Sequence, residues 1–290
     1  MPIAQVLLDS ATEYEKKCGR IDRAVLATGR EVATIEIASD APASRLADLL
    51  RERGATAAHI YGPRRLPASL FVRFPIPYVA SAEVSARRFA IRRPVPPARI
   101  VTPIARTGPA EDSRVVTLPE AVEEEYLGNE KRRHSHHSGE RRRVGSFGPD
   151  RGGVRNMIDQ TVVRLQRFRE DVDWHSFDSV PTPEDLASFD LWVDPATDEL
   201  DFDGFVAEAL AVGLPVVASR TPINAQRLEK GRTGFLVPPG DPNELVHSVL
   251  TALFKPEASA AKTDAASQTI SKFRPYQRLR ALARIYEALN

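Results

Sequence analysis

The clearest pattern of apolar and polar positions lies in the second half of the chain. GFVAEALAVG (204–213) has apolar positions at helical spacing, and it ends at Gly213, which is suited to closing a helix in the left-handed conformation. LPVVAS (214–219) is a short and wholly apolar run, as in a strand buried on both faces of a parallel sheet. NAQRLEKG (224–231) predicts a second helix and TGFLVPPG (233–240) a second buried strand. This alternation predicts a β/α domain.

The same alternation continues on both sides of that stretch. Residues 142–168 predict a strand, a glycine-rich turn and a helix. Two further strands are predicted over 171–177 and 189–197, and Thr182 is placed to cap a short helix between them. Asp241 is likewise placed as the N-cap of the apolar helix that follows it. The whole second half therefore fits one parallel α/β domain.

The first half has a weaker version of the pattern. AVLATG (24–29) and VATIEIAS (32–39) predict strands, and SRLADLLRERG (44–54) predicts an amphipathic helix. Further short strands are predicted over 55–63, 76–81, 99–105 and 114–122. These segments predict an abbreviated α/β domain.

The end of the chain combines two patterns. Residues 259–274 predict a loose polar stretch, because they show no apolar periodicity. A helix is predicted from Pro275, a residue well tolerated in a first turn, with Leu279, Leu282 and Ile285 at helical spacing. That helix is expected to pack against another part of the molecule.

Composition narrows the class of protein. The 290 residues suffice for two domains of about 150 residues each. The 40 basic and 39 acidic side chains nearly cancel, so we expect no nucleic-acid partner and at most peripheral membrane contact. The single cysteine, Cys18, excludes an internal disulfide. MPIAQVLLDSATEYEKK does not match a signal peptide and no run approaches about 20 apolar residues, so we expect a cytoplasmic protein.

Two segments in the second half carry a resemblance to a known family. EALAVGLPVVAS (208–219) and GRTGFLVPPGDP (231–242) occur in the order and at the separation typical of one group of enzymes. They resemble the nucleotide-sugar domain of retaining GT-B glycosyltransferases of the family 4, group 1 type. The resemblance implies an α/β fold with two Rossmann-like domains whose parallel sheets face a central cleft.

The resemblance also implies a domain organisation. The expected parts are an abbreviated acceptor-side domain (1–127), a basic linker (128–143), a nucleotide-sugar domain (144–274) and a last helix crossing back to the first domain (275–290).

A glycine-rich turn is the first element of the implied donor site. The segment VGSFGPDRG (144–152) resembles the family pattern in which two cations hold the donor diphosphate. The lysine of that pattern becomes Arg151, which binds phosphate in a bidentate way, whereas the arginine becomes the uncharged Ser146. A glycine-rich turn at a helix start lets backbone N–H groups reach a phosphate. The predicted donor-binding residues are Ser146, Gly148, Arg151, Val180, Gly204, Phe205 and Glu208.

The chemistry of this family rests on two glutamates separated by seven residues. Glu208 matches the second, whose two carboxylate oxygens suit the ribose hydroxyls. The counted position of the first holds leucine, so we predict Glu199 one residue earlier, with Asp201 and Asp203 as competitors. A solvated acidic loop is the alternative for Glu199. Glu199 and Arg151 are therefore the predicted catalytic residues.

Other positions depart from the family pattern. His59 and Tyr61 occupy the places of a His-x-His turn on the acceptor side, and the alternative for His59 is a hydrogen-bonded structural histidine. Pro222 and Ile223 replace a Gly-Gly pair, and Gln226 replaces an acid. Proline has no N–H, and a β-branched residue disfavours positive φ. The predicted nucleotide-sugar site therefore has fewer backbone N–H groups than usual.

The linker is basic and rich in histidine. His134, His136 and His137 lack a cysteine or an acid at ligand spacing, so no metal site is expected. The default is a solvated hinge, and the alternative is contact with an anionic acceptor or a phospholipid surface.

Two functions remain open from the sequence. The first is a retaining glycosyltransferase that uses a UDP- or GDP-linked sugar, no metal or other cofactor, and an unknown glycan, lipid or small-molecule acceptor. The second is a catalytically degenerate binding or scaffold protein that works with a protein partner or as a homo-oligomer. Arg151 and Glu208 favour the first, whereas Ser146, Tyr61 and Pro222 favour the second.

Overall fold

The computed structural model describes two compact units. Unit 1 comprises residues 1–121 and 275–290, and unit 2 comprises residues 122–274. The described residues are 2–8, 11, 13–26, 31–38, 41–62, 76–81, 99–102, 115–118, 120–127, 141–148, 153–197 and 204–288.

Unit 1 is built around a parallel sheet of six described strands in the order β2-β1-β3-β4-β5-β6. The strands are β1 (Ile3–Leu8), β2 (Val32–Ile37), β3 (Ala57–Tyr61), β4 (Tyr78–Ser81), β5 (Arg99–Thr102) and β6 (Val115–Thr117). Two helices of the first half are α1 (Glu13–Leu26) and α2 (Ala43–Glu52). The predicted strands over 32–39, 55–63, 76–81, 99–105 and 114–122 and the helix over 44–54 are confirmed, with shorter bounds.

One part of the first half was predicted wrongly. Of the segment 24–29, the described residues Ala24–Leu26 form the last turn of α1 rather than a strand. A short apolar run cannot be told from a buried helix segment by periodicity alone. The strand β1 was not predicted at all, although it pairs with both β2 and β3 near the middle of the sheet.

Unit 2 is built around a second parallel sheet, in the order β11-β10-β9-β7-β8. The strands are β7 (Arg142–Phe147), β8 (Val172–Phe177), β9 (Leu191–Asp194), β10 (Val216–Ser219) and β11 (Phe235–Val237). The helices are α3 (Glu124–Leu127), α4 (Val154–Gln166), α5 (Pro183–Ala187), α6 (Val206–Ala211), α7 (Pro222–Arg227), α8 (Pro242–Phe254) and α9 (Pro256–Thr269). Every strand and helix predicted for 142–254 is present.

The predicted helix ends of unit 2 are confirmed in detail. Gly213 has φ 85° and follows α6, in the left-handed conformation that ends a helix. The Thr182 side chain accepts a hydrogen bond from the Asp185 backbone N–H. The Asp185 side chain accepts one from the Thr182 backbone N–H, which completes a capping box. Asp241 Oδ1 accepts from the backbone N–H of Asn243 and Glu244 at the start of α8.

The stretch 259–274 was predicted wrongly as a loose polar segment. Residues Pro256–Thr269 form α9, and a 3-10 turn covers Ile270–Phe273. The helix is rich in alanine and buries little beyond Ser259 and Ala266, so intrinsic helix propensity favours it where apolar periodicity gives no signal.

The last described helix, α10 (Pro275–Glu287), belongs to unit 1. Its Leu282, Ile285 and Tyr286 share a buried cluster with Ile3 of β1 and Val79 of β4, together with Leu118. The second cluster of unit 1 joins strands β1 and β3 to Leu46 and Leu50 of α2. The helix predicted from Pro275 is thus confirmed, and it completes the core of unit 1.

Within the described ranges, no helix is long and apolar enough to cross a bilayer. The same ranges contain no group of three His, Cys, Asp or Glu side chains arranged to hold a metal ion.

Candidate functional site

The strand order of unit 2 indicates where a ligand would bind. The strand β7 pairs with β8 on one side and with β9 on the other, so the sheet changes its direction of growth between β7 and β9. Ligands of open parallel sheets bind outside the carboxyl ends of the strands at such a switch point. The chain leaves the sheet there at Phe147 and Asp194.

Gly148, the residue directly after β7, lies very close to its neighbours. A Cβ atom added to Gly148 would lie 2.5 Å from Ile158 Cδ1 and 2.6 Å from Ser176 Oγ. Gly153 precedes α4 with φ 88°, and no side chain caps the helix among the described residues. The first-turn N–H groups of α4 are therefore not satisfied by a side-chain cap, as in helix starts that bind an anion.

A turn at the start of α6 contacts the end of β7. Phe205 has φ 50° and is the N-cap residue of α6, and its ring lies 4.8 Å from that of Phe147 in an edge-to-face contact. Glu208, in the first turn of α6, is 1% exposed. The structure thus brings Gly148 and the segment Gly204–Glu208 to the same edge of the sheet, as the donor-site prediction requires.

A buried polar pair behind this turn was missed by the sequence analysis. Asn224 Nδ2 donates to Asp194 Oδ2 over 2.6 Å, and both side chains are buried. A Cβ atom on Gly204 would lie 2.3 Å from Asp194 Cγ, so the turn rests against the carboxylate. The available signal was an acid directly after the apolar run LWV, at the end of a predicted strand.

Ser146 and Val180 have structural positions in unit 2. Ser146 is 0% exposed, and its Oγ accepts from Trp174 Nε1 over 2.9 Å. The Ser146 hydroxyl therefore faces Trp174 on the neighbouring strand β8. Val180 is half-buried and packs against the core of the unit. Neither side chain contributes a charge to the predicted donor site.

The positions that replace the glycine pair form an ordinary helix start. Thr221 caps α7 by accepting from the Asn224 N–H, and Pro222 lies in the first turn. Ile223 is 0% exposed. Because Pro222 has no N–H and Ile223 points into the core, this segment adds little to a phosphate site.

His59 and Tyr61 lie inside unit 1 and have no exposed surface. The Tyr61 hydroxyl donates to Asp22 Oδ2 over 2.7 Å. The ring nitrogens of His59 lie 2.6 Å from the Tyr286 hydroxyl and 2.9 Å from Ser81 Oγ. These contacts favour the structural alternative for His59. Tyr61 lies two positions after His59 in β3, so both side chains project from the same face of the sheet. On that face Tyr61 contacts Asp22 of α1 rather than a ligand.

Burial controls the protonation of this network. It lowers the pKa of His59 to about 4, an effect that Asp22 opposes and Arg278 reinforces. Burial also raises the pKa of the Tyr61 hydroxyl, and the neighbouring Asp22 raises it further. Both side chains are therefore neutral near pH 7.

Unit 1 has an open cavity of its own, which the sequence analysis missed because β1 was not predicted. The cavity has a volume of about 480 Å³ and lies at the carboxyl ends of β1 and β2. Its lining combines the apolar Leu7, Leu8, Ile37 and Ala38 with Lys16 and Glu36.

Several predicted residues lie outside the described part of the chain. They are Arg151, Glu199, the competitors Asp201 and Asp203, and the linker histidines His134, His136 and His137. Their predicted roles stay predictions.

A known protein family matches a part of unit 2. Residues 148–254 match the family model described as glycosyl transferases group 1. The similarity to a glycosyltransferase group 1 domain thus covers residues 148–254. This domain contains Gly148, the first turn of α6 with Glu208, and the pair of Asp194 and Asn224. No curated protein matches the chain.

Solved structures match the glycosyltransferase domain together with unit 1. A glycosyltransferase from Rickettsia africae ESF-5 has a TM-score of 0.71 at 12% identity, covering 99% of this chain and 98% of that one. Sucrose-phosphate synthase from Thermosynechococcus elongatus has a TM-score of 0.71 at 13% identity, covering 100% and 99%. Anabaena Alr3699/HepE in complex with UDP and glucose has a TM-score of 0.70 at 16% identity, covering 98% and 99%. These similarities confirm the predicted α/β fold with two parallel sheets of the GT-B type.

Proposed function

We propose that this chain is a glycosyltransferase that moves a hexose from a nucleotide-diphosphate sugar to a hydroxyl acceptor with retention of configuration. The observation that carries the proposal is the glycosyl transferases group 1 domain over 148–254, folded around the switch point of a parallel sheet. The family 4 subtype and the retaining mechanism rest on the resemblance of 208–219 and 231–242.

The donor is a UDP-linked sugar, with a GDP-linked sugar as the alternative. Support comes from the Anabaena structures, which hold UDP and UDP-glucose on a similar fold. In our proposal the diphosphate lies at the start of α4, where helix N–H groups and the macrodipole favour negative charge. Glu208 accepts from the ribose hydroxyls, because each carboxylate oxygen can accept a separate hydroxyl.

Catalysis would depend on stabilising the departing diphosphate. As the bond between sugar and phosphate breaks, negative charge develops on the phosphate oxygens, and Arg151 and the helix N-terminus stabilise it electrostatically. The acceptor hydroxyl gives its proton to a leaving-group oxygen, which requires that acceptor and donor be held in close alignment. Glu199 lies beside the transferred sugar in this proposal. No metal is assigned a role.

A degenerate binding or scaffold protein is the second candidate. The observations that favour it are the buried Ser146 hydroxyl and the buried Ile223, which stand where relatives present a cation and a glycine. Such a protein would keep affinity for the nucleotide and lose turnover.

Release of nucleotide from a panel of sugar donors separates the two candidates. The purified protein is incubated with common UDP- and GDP-sugars, and free UDP or GDP is measured with time. We expect slow donor hydrolysis with at least one sugar, reduced at least about tenfold in the Arg151→Ala variant because a phosphate-binding cation is lost. Nucleotide binding without hydrolysis of any donor would favour the scaffold, and neither binding nor hydrolysis would contradict both.

A further inference from the structure

A buried carboxylate and a buried amide lie beside the turn that begins α6. Asp194, the last residue of β9, is 4% exposed, and Asn224 in the first turn of α7 is 0% exposed. Asn224 Nδ2 donates to Asp194 Oδ2 over 2.6 Å and to the Ser219 carbonyl over 3.1 Å. Burying a carboxylate is costly unless it is well hydrogen-bonded, and this pair satisfies that condition within the domain.

A third side chain supports the orientation of the amide. Arg227 is 2% exposed, and its Nη1 donates to Asn224 Oδ1 over 3.4 Å. Since the amide oxygen faces the guanidinium, the amide nitrogen faces the carboxylate. The chain from Arg227 through Asn224 to Asp194 therefore has one preferred direction of hydrogen bonding.

Asp194 is in direct contact with the backbone of Gly204. A Cβ atom at Gly204 would lie 2.5 Å from both carboxylate oxygens of Asp194, so only glycine fits there. Trp192, two residues earlier in β9, donates from Nε1 to the Gly204 carbonyl over 2.7 Å. Two side chains on the same face of one strand thus hold a single residue of the turn.

The turn needs such support. Phe205 has φ 50°, which is uncommon for a bulky residue and persists only where the surroundings hold it. The helix that follows has only six residues, too few to be stable without packing. Glu208 lies in its first turn, so the turn sets the position of this carboxylate.

We propose that Asp194 and Asn224 form a positioning pair that fixes the Gly204–Phe205 turn and thereby sets the place of Glu208 at the donor site. The consequence for nucleotide binding rests on the proposed function. The consequence for the turn itself does not, so the two can be tested separately.

Exchanging the two side chains is the sharpest test. Asn224→Asp puts a second carboxylate where the amide donates, and the two like charges should push Asp194 and Gly204 apart. The double variant Asp194→Asn/Asn224→Asp restores one amide and one carboxylate in the opposite order, and Arg227 faces a carboxylate at position 224 in both variants. We expect the double variant to recover most of what the single variant loses, except the bond to the Ser219 carbonyl, which is absent from both.

Indole N–H signals in nuclear magnetic resonance spectra report the turn without any ligand. The chain has two tryptophans, both in unit 2. Trp192 donates to Gly204, and Trp174 donates to Ser146. We expect Asn224→Asp to shift the Trp192 signal and leave the Trp174 signal in place, with Trp174→Phe providing the assignment. An unchanged Trp192 signal would overturn the proposal, whether or not the protein binds a nucleotide.

Calorimetric titration with UDP tests the effect on the donor site. We expect Asn224→Asp to weaken UDP binding at least about tenfold, and the exchanged pair to return within about threefold of the parent protein. Ser259→Ala is the matched control, because it removes a different buried hydrogen bond of the same unit, from Ser259 Oγ of α9 to the Ala252 carbonyl of α8. It should lose stability and keep its UDP affinity.

Each remaining outcome of the titration decides something different. If Asn224→Asp loses stability as Ser259→Ala does and still binds UDP like the parent, the pair is only structural and the proposal fails. If the parent protein binds neither UDP nor GDP, the proposed function fails and the Trp192 signal alone decides on the pair. If Asn224→Asp does not fold, Asp194→Asn takes its place, because it removes the charge and keeps the shape of the side chain. Its Trp192 signal and its affinity for UDP are then measured.

Discussion

Single residues of unit 1 show how burial changes the role implied by a motif. His59 and Tyr61 occupy the places of a ligand-binding turn in the resemblance, yet both side chains are fully buried. Their polar atoms face Asp22, Ser81 and Tyr286. The surroundings of these side chains include α10, a helix far away in sequence. Burial of this kind cannot be read from a local motif.

The buried His59 makes a prediction about pH. Its pKa is about 4 in the folded protein against about 6.5 in an unfolded chain, so the unfolded chain binds the extra proton between these values. The stabilising contribution is complete above pH 6.5 and is lost as the pH falls towards 4. We expect the free energy of unfolding of the parent protein to fall by about 2 kcal/mol more than that of His59→Gln between pH 7 and pH 5.

Urea unfolding curves at the two pH values measure this difference directly. The variant serves as the control, because glutamine keeps a polar side chain and does not titrate. An equal loss of stability in both proteins would show that His59 is not the group that titrates.

At the scale of elements, the sequence predicted unit 2 well because its signals are local. Gly213, Thr182 and Asp241 mark helix ends by their own chemistry, and each was found in its predicted role. The helix α9 was missed because alanine favours a helix without producing an apolar stripe. Strand β1 was missed although it lies inside a sheet, since IAQVLL is too short for periodicity to identify.

The proposed donor site combines neighbours in sequence with residues that only the fold brings together. Glu208 and the glycines on either side of it lie in one continuous segment, 204–213, whose pattern identifies it in the sequence. Asp194 and Asn224 are 30 positions apart and meet only because β9 and β10 are neighbours in the sheet. Pairing across strands is a property of the fold, so no spacing in the sequence identifies it.

A proline in α9 tests whether 259–269 is a helix in solution. Ala261 is exposed in the middle of α9. A proline there removes a helical hydrogen bond and clashes with the preceding turn, so Ala261→Pro should lower the free energy of unfolding by about 3 kcal/mol. Ala261→Ser is the control and should cost less than about 1 kcal/mol. A proline variant as stable as the serine variant, by thermal or urea unfolding, would contradict the helix.

At the scale of the whole molecule, the two ends of the chain form one unit. Arg278 of α10 pairs with Asp22 of α1 across 256 positions in sequence, with Nε 2.5 Å from Oδ1. The two side chains are 3% and 0% exposed. A buried ion pair of this kind specifies which surfaces meet, and removing one partner leaves a buried charge.

Removing the arginine should therefore destabilise unit 1 strongly. We expect Arg278→Met to lower the free energy of unfolding by about 3–5 kcal/mol, because Asp22 is left charged and unpaired. The double variant Asp22→Asn/Arg278→Met removes the charge as well and should be more stable than Arg278→Met alone. Urea unfolding followed by circular dichroism measures both. A double variant less stable than the single variant would show that the pair contributes by packing rather than by charge.

We propose that unit 2 holds a nucleotide sugar at the carboxyl edge of its sheet. Calorimetric titration with UDP tests it most directly, with Glu208→Gln as the site variant and the exposed Glu257→Gln as its control. The account predicts saturable binding of one UDP, with a dissociation constant between about 1 μM and 1 mM. Glu208→Gln should weaken it at least about tenfold, and Glu257→Gln should not change it. No binding by the parent protein, or equal affinity in the Glu208→Gln variant, would contradict the account.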